Sequence, residues 1–179
     1  MSGWGQQIWD TIREEFSDIS DVAQVTRIIL RLVIAAVLGG VLGYERESKG
    51  RAAGTRTHML VAIGAALFVL IPQQAKVSDA DLTRVLQGLV AGIGFLGAGT
   101  IVRGTGQEDV KGLTTAAGIW LTAAIGVAAG MGREATAVLA TALALFVLYA
   151  VPKLTQSFGH QNGSPPQSPP PQGKAKSKK

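Results

Sequence analysis

Carboxylates and one histidine gather around the polar segments that join the apolar parts of this sequence. Glu45 and Glu47 open the first such segment, and His58 follows it. Glu108 and Asp109 lie in a second one. Carboxylate oxygens suit a hydrated Mg²⁺ ion, although neutralisation of neighbouring arginines is the alternative. His58 can titrate near neutral pH, or it can simply hydrogen-bond a neighbouring helix. We expect no resident cofactor, and the residues leave the metal open, with Mg²⁺ as the candidate.

Two helix N-termini are predicted beside these charges. Gly54-Thr-Arg-Thr opens one apolar stretch, Gly112-Leu-Thr-Thr opens another, and an Ala-Ile-Gly follows each of them. This internal similarity indicates parallel hairpin repeats, unless it reflects only the chance similarity of helices rich in small residues. Each helix start offers free N–H groups and a positive dipole end, to which Arg56, Thr114 and Thr115 add charge and hydroxyls. Such a place would suit an anion, a lipid phosphate or an acidic partner segment.

Helices that cross a membrane must position these residues. The chain has 179 residues, of which 47% are hydrophobic and 23 are glycines. That composition is too apolar for an ordinary soluble domain, and five apolar stretches approach the roughly 20 residues that a bilayer requires. We therefore predict an all-α, multi-pass membrane protein with about five transmembrane helices in contact with the lipid bilayer. The predicted helices cover residues 25–44, 57–71, 82–102, 113–131 and 135–151.

The predicted membrane domain, residues 25–151, lies between two segments of different composition. Residues 1–21 place Trp4, Trp9 and other apolar side chains at near-helical spacing, which predicts an amphipathic helix. This helix would lie either at the membrane surface, anchored by its tryptophans, or against the protein itself. Residues 157–179 are rich in Pro, Gln, Ser, Gly and Lys, a composition that predicts a disordered basic tail.

The distribution of basic residues predicts the orientation of the helices. If the charged loop after the first helix is cytosolic, most lysines and arginines lie on its side, with the N-terminus out and the C-terminus in. Arg27 and Arg31 then lie near the outer face, and so do Asp79, Asp81 and Arg84. An arginine left bare in hydrocarbon costs at least about 2.5 kcal/mol. We therefore predict outer-face ion pairs in which the two aspartates neutralise the arginines of the first helix.

The third predicted helix is rich in glycine, at Gly88, Gly92, Gly94, Gly97 and Gly99. Each glycine costs about 1 kcal/mol in the interior of a soluble helix, but in a bilayer glycines let neighbouring helices approach closely. We predict that this helix is the central and most tightly packed one. Pairs of glycines four residues apart also predict a homo-oligomer, unless all of them are used inside one chain.

Several classes of function find no support in the residues. The sequence has no cysteine, only two histidines, and no catalytic triad, phosphate-binding lysine loop or metalloprotease motif, so we expect no enzyme. Its net charge of +5 comes from helix ends and the tail. Positive-inside topology explains that distribution better than a nucleic-acid-binding face, and we expect no nucleic-acid partner.

Four ordered motifs resemble a known family. They are Gly43-Tyr-Glu-Arg-Glu, Gly54-Thr-Arg-Thr-His-Met-Leu-Val, Gly94-Phe-Leu-Gly-Ala-Gly-Thr-Ile and Gly112-Leu-Thr-Thr-Ala-Ala-Gly-Ile-Trp. Over residues 25–151 the chain closely resembles the membrane domain of the MgtC/SapB family of bacterial inner-membrane proteins. The resemblance implies a multi-pass protein of the inner (plasma) membrane, a role in magnesium homeostasis and, in intracellular pathogens, virulence. The soluble C-terminal domain of the best-known member is not expected here, because the low-complexity tail follows.

The same motifs imply functional positions. Carried over by motif are Glu45, Arg46, Arg56, Thr57, His58, Thr114 and Thr115, with Gly94, Gly97 and Gly99 as packing positions. Together with Glu47 from the charged loop, the polar residues form the predicted functional cluster. Family members vary at the position of His58, which argues against a purely proton-carrying role for it.

The resemblance implies a regulator rather than a pump, since the best-known member is similar to an inhibitor of the proton-translocating ATP synthase. We predict a protein that acts on another membrane complex, such as the ATP synthase. The alternative is a small magnesium or proton transporter or channel, whose pathway would need polar groups inside the membrane. Few uncharged ones exist: Gln87, Thr100, Thr122 and Thr141. A lipid-binding scaffold is a third possibility.

Overall fold

The computed structural model describes residues 3–15, 21–103 and 110–159 as six helices and two short strands. The elements, in chain order, are α1 (Trp4–Glu15), α2 (Val22–Ser48), α3 (Thr55–Gln74), α4 (Asp79–Gly99), β1 (Val102–Arg103), β2 (Val110–Lys111), α5 (Leu113–Gly130) and α6 (Glu134–Gly159). The strands form a minimal antiparallel pair between α4 and α5, which the sequence pattern did not predict. Glu108 and Asp109 lie outside the described residues.

Five helices, α2 to α6, are long and apolar enough to cross a membrane. The predicted all-α fold with five spans is therefore confirmed, and the orientation of the two chain ends stays a prediction. Pro72 lies inside α3, which continues to Gln74, so the predicted end of this helix at residue 71 was wrong. α6 continues to Gly159, past its predicted end at residue 151. The predicted tail lies outside the described residues from residue 160 onward.

Local sequence explains where several helices begin. The side chain of Asp21 accepts a hydrogen bond of 3.1 Å from the amide of Ala23 and caps α2. Ser78 caps α4 in the same way through the amide of Asp81. The predicted helix starts after Gly54 and Gly112 are confirmed, but the two caps differ: Gly54 is extended, whereas Gly112 has a φ of 98°. No L side chain adopts that conformation easily, so glycine is required at residue 112.

The chain divides into two compact units, residues 1–145 and 146–179. In the first unit, α3 lies between α2 and α5 and packs against both. Its buried face consists largely of alanine and valine, and glycines of α2 and α5 lie directly against it. A Cβ atom on Gly39 would stand 2.6 Å from the carbonyl oxygen of His58, and one on Gly130 would stand 2.6 Å from that of Ala66. Small residues thus let these three helices meet at backbone distance.

The glycine-rich helix α4 is not the packed centre that the sequence suggested. Only Ile93 and Gly97 are buried in it. A Cβ atom on Gly88, Gly92, Gly94 or Gly99 would meet no atom of the described chain within 4 Å, whereas one on Gly97 would lie 3.6 Å from Ala116. Within the described residues, the packing prediction therefore holds only at Gly97. Glycine content indicates that close approach is possible, but it does not say which helix face is approached.

The N-terminal helix α1 falls within the predicted amphipathic segment. None of its residues is buried, and Trp4 and Trp9 are exposed. Whether this face meets a membrane surface or another part of the protein stays a prediction.

Candidate functional site

The predicted functional cluster centres on one place, where the end of α2 meets the starts of α3 and α5. We call this place the polar junction and define it by Glu45, Arg46, Glu47, His58 and Gly118. All five lie in the first compact unit.

Glu47 fixes the start of α3. Its Oε2 atom accepts a hydrogen bond of 2.9 Å from the amide of Thr55, the first residue of that helix. A carboxylate placed at a helix N-terminus satisfies a free N–H group and complements the positive end of the dipole. A Cβ atom on Gly54 would stand 2.8 Å from the same oxygen, so glycine at residue 54 makes room for this contact.

His58 is completely buried one turn into α3. Its Nδ1 atom lies 3.0 Å from the carbonyl oxygen of Gly54. Because a carbonyl oxygen can only accept, Nδ1 carries the proton and donates this bond. The other ring nitrogen, Nε2, is buried and has no hydrogen-bond partner among the described residues.

Arg46, from the last turn of α2, is the second buried polar side chain of the polar junction, with 4% of its surface exposed. Its Nε atom donates a hydrogen bond of 2.6 Å to Oε2 of Glu45, which forms an ion pair. Its Nη1 atom is buried and, in the described part of the chain, unpaired. A buried polar atom without a partner costs about 1 to 3 kcal/mol, so a fold that keeps two of them in one place does so at the expense of stability.

Arg46 and His58 converge on Gly118 of α5. A Cβ atom on Gly118 would lie 3.5 Å from Nε2 of His58 and 3.9 Å from Cδ of Arg46. The guanidinium can donate a hydrogen bond and a singly protonated imidazole can accept one at Nε2, so the two unpaired atoms are chemically complementary. Gly118 lies inside the fourth motif, which implied no role for it; its signal was a glycine five residues after Leu113, the first residue of α5.

The other predicted cluster residues differ in their burial. Arg56, Thr57 and Thr114 are exposed, whereas Thr115 is buried. Among the residues that the structure describes, no three His, Asp or Glu side chains group in a way that would hold a metal ion. Glu45 pairs with Arg46, as the interpretation of local neutralisation expects, whereas Glu47 bonds the amide at the start of α3.

The opposite end of α2 carries the predicted outer-face ion pairs, and the partners differ from those predicted. Arg31 Nη1 donates to Oε1 of Gln73 at 3.1 Å and to the carbonyl oxygen of Gly130 at 3.0 Å. Its Nε atom lies 4.0 Å from Glu134. The predicted pairing of Arg31 with an aspartate was therefore wrong, because backbone carbonyls at a helix end compete for the guanidinium.

The remaining members of the predicted outer-face set stay within their own helices. Arg84 pairs with Asp81 at 3.1 Å inside α4, and Arg27 donates to the carbonyl oxygen of Ala23 inside α2. Asp79 lies in the first turn of α4, where a carboxylate favours the helix N-terminus.

Between the two polar ends, α2, α3 and α5 pack at backbone distance. Gly39 of α2 and Gly126 of α5 approach α3 from two sides, and both lie against Ala62. A Cβ atom at Gly126 would collide with the carbonyl oxygen of Ala62. The threonines predicted as candidates for a pathway bond to carbonyl oxygens of their own helices at 2.8 Å, namely Thr100 to Gly97, Thr122 to Gly118 and Thr141 to Ala137.

Comparison with known proteins gives one family. Residues 32–157 match the model of the MgtC family. Protein SrpB of Synechococcus elongatus is 42% identical over 135 residues, which are 69% of this chain and 74% of that protein. The putative magnesium transporter YhiD of Escherichia coli is 36% identical over 141 residues, or 75% of this chain and 65% of that protein.

A third relative, protein MgtC of Brucella abortus, is 43% identical over 127 residues, which are 71% of this chain and 52% of that protein. The chain thus spans about half of that relative's length. No solved structure matches the chain.

Proposed function

Because the chain belongs to the MgtC family, we propose that it is a protein of the bacterial inner membrane that serves magnesium homeostasis by acting on another membrane complex. The link to magnesium rests on the family and on the name of YhiD. The ATP synthase is the complex that we name as a candidate partner. In this proposal the protein is not an enzyme, and it forms homo-oligomers through glycines such as Gly88 and Gly92, where a Cβ atom would meet no atom of the described residues within 4 Å.

The close packing of α2, α3 and α5 between the two polar ends is the observation that carries this proposal. A pathway for a hydrated ion needs polar groups and space between the two ends of a span. Here Gly126 and Ala62 meet at backbone distance, and the polar side chains concentrate at the two ends. Such a bundle is suited to hold a polar junction rigid at one end rather than to pass an ion between the ends.

Magnesium flux into proteoliposomes separates this proposal from its alternative. The protein is reconstituted with an entrapped Mg²⁺ indicator, beside protein-free vesicles and vesicles with a His58→Phe variant. We expect no flux above the protein-free level. Flux that the His58 substitution abolishes would make the protein a transporter, which is the alternative that the name of YhiD favours.

ATP-driven proton pumping tests the candidate partner. Inverted inner-membrane vesicles with and without the protein are compared with vesicles that contain an Arg56→Gln or an Arg84→Gln variant. Both arginines are exposed, but only Arg56 lies at the start of α3 beside the polar junction. We expect the wild-type protein and Arg84→Gln to lower the pumping rate and Arg56→Gln to lower it less. Equal pumping in all vesicles would remove the ATP synthase as the partner.

A further inference from the structure

A polar cavity lies at the end of the bundle opposite the polar junction. Its volume is about 390 Å³, and the start of α2 and the end of α3 line it. That volume falls in the range of about 300 to 1,000 Å³ that is typical of small-molecule sites. Three of its side chains are cations, Arg27, Arg31 and Lys76, and none of the roles described above accounts for all three.

Of these three cations, Arg31 is held in place by hydrogen bonds, whereas Arg27 and Lys76 keep donor groups that are unpaired among the described residues. Arg31 is half-buried and donates hydrogen bonds to Gln73 and to the last residue of α5, so its side chain forms a fixed wall of the cavity. Arg27 uses only its Nε atom, for a carbonyl of its own helix. Within residues 21–103 and 110–159, its two Nη atoms and the ammonium group of Lys76 have no hydrogen-bond or ion-pair partner. Both side chains are exposed at the rim of the cavity.

The backbone at Lys76 adds a second observation. Lys76 has a φ of 52°, the only positive φ of a non-glycine residue in the described chain. The amide of Val77 bonds to the carbonyl oxygen of Pro72 at 3.2 Å, so Lys76 stands at the position after the helix end where glycine is strongly preferred. A lysine there carries a conformational cost, and its side chain lines the cavity.

The charge balance of the cavity is positive. Its one carboxylate, Asp21, is engaged in capping α2. The amides of Gln24 and Gln74 add neutral donors at the rim, and Ile28 and the buried Leu70 provide an apolar floor. Cations and amide donors above an apolar floor, at the ends of two helices that can cross a membrane, match a phosphate group at headgroup depth.

We propose that this cavity binds a phosphate group, with Arg27 and Lys76 as its ligands and Arg31 as its fixed wall. A phospholipid headgroup and inorganic phosphate share this chemistry. The apolar floor and the position at the helix ends favour the headgroup of an anionic phospholipid. The inference stands apart from the proposed function, since it concerns the other end of the bundle.

Binding of defined lipids to the purified, delipidated full-length protein tests this proposal. Native mass spectrometry measures binding of phosphatidylglycerol, and calorimetry measures binding of inorganic phosphate. The variants are the double substitution Arg27→Gln/Lys76→Gln and, as a control with the same loss of charge, Arg84→Gln/Lys49→Gln at exposed positions outside the cavity. We expect phosphatidylglycerol to bind the double variant more weakly by about fivefold for each cation removed, and the control to bind like the wild type.

Lys76→Gly keeps the test valid if the double variant does not fold. Glycine suits the positive φ at residue 76, so this substitution removes the charge while it relieves the backbone. Weaker phosphatidylglycerol binding by this variant supports the proposal with a lipid as the source. Weaker binding of inorganic phosphate alone supports it with free phosphate as the source. Unchanged binding of both to a folded variant would overturn it.

Discussion

The guanidinium group of Arg31, near the start of α2, donates a hydrogen bond of 3.0 Å to the carbonyl oxygen of Gly130, the last residue of α5. The two residues are 99 positions apart in the sequence. The last carbonyls of a helix have no partner inside that helix, so a cation from another helix can satisfy them and complement the negative end of the dipole. Arg31 therefore joins α2 to α5 at the end of the bundle that lies opposite the polar junction.

Replacement of Arg31 should destabilise the protein. In Arg31→Leu the buried carbonyl of Gly130 loses its partner, and we expect the free energy of unfolding to fall by about 1 to 3 kcal/mol. Thermal unfolding in detergent measures the change. Arg27→Leu is the matched control, because Arg27 bonds only within its own helix. Equal midpoints for the two variants would contradict the role given to Arg31.

Alanine substitutions at two glycines compare α5, which packs closely against α3, with α4, where the substituted glycine has open space at its Cβ position. Gly126→Ala forces a methyl group into the carbonyl of Ala62, and we expect a loss of about 1 to 3 kcal/mol together with a lower yield of monodisperse protein. The new methyl group of Gly94→Ala meets no atom of the described residues, so this variant should be neutral or stabilising by up to about 1 kcal/mol. Size-exclusion chromatography and thermal unfolding compare the two variants. Equal damage at Gly94 would show that a second molecule packs against α4.

The helical membrane fold was predictable because it depends on local properties. Apolar length defines a span, and Gly54 and Ser78 mark helix starts through their own backbone and side-chain chemistry. The packing order was not predictable. Both α4 and α5 contain several glycines, yet Gly126 of α5 is in backbone contact with α3 and Gly94 of α4 faces open space. Which face of a helix meets which neighbour depends on tertiary structure that one sequence does not specify.

The residues of the candidate site were predictable from the sequence, but their arrangement was not. The motifs identified Arg46 and His58, but not that both are buried or that each keeps one unpaired atom. Their meeting point at Gly118 comes from a helix more than 50 residues away in the sequence. The partner of Arg31 was missed for a related reason, since a backbone carbonyl at a helix end leaves no mark in the sequence.

Removal of the Glu47 side chain should loosen the start of α3. Glu47→Ala loses the hydrogen bond to the amide of Thr55, and we expect about 0.5 to 2 kcal/mol less local stability. Hydrogen exchange of the amides of residues 55–58 should become faster in this variant. Glu47→Gln keeps an acceptor oxygen and should exchange at close to the wild-type rate. Fast exchange in both variants would mean that the negative charge, rather than the hydrogen bond, holds the helix start.

A methyl group on Gly118 should alter the polar junction without unfolding it. In Gly118→Ala the new Cβ atom would lie 3.5 Å from Nε2 of His58 and 3.9 Å from Cδ of Arg46, which are ordinary contact distances. Alanine also favours a helix over glycine by up to about 1 kcal/mol, so the unfolding midpoint should stay equal or rise. The methyl group would fill the space beside Nε2 of His58 and Cδ of Arg46. If that space serves the function, growth at low magnesium should fall toward the level of a strain that lacks the protein.

Gly64→Ala is the control for this last variant. Gly64 lies in α3 and has open space at its Cβ position, so its substitution brings the same gain in helix propensity without a contact at the polar junction. We expect it to support growth at low magnesium like the wild type, at an equal level of protein in the membrane. Full growth of the Gly118→Ala strain would show that the space between Arg46 and His58 has no part in the function, and the two unpaired atoms would then be a structural cost alone.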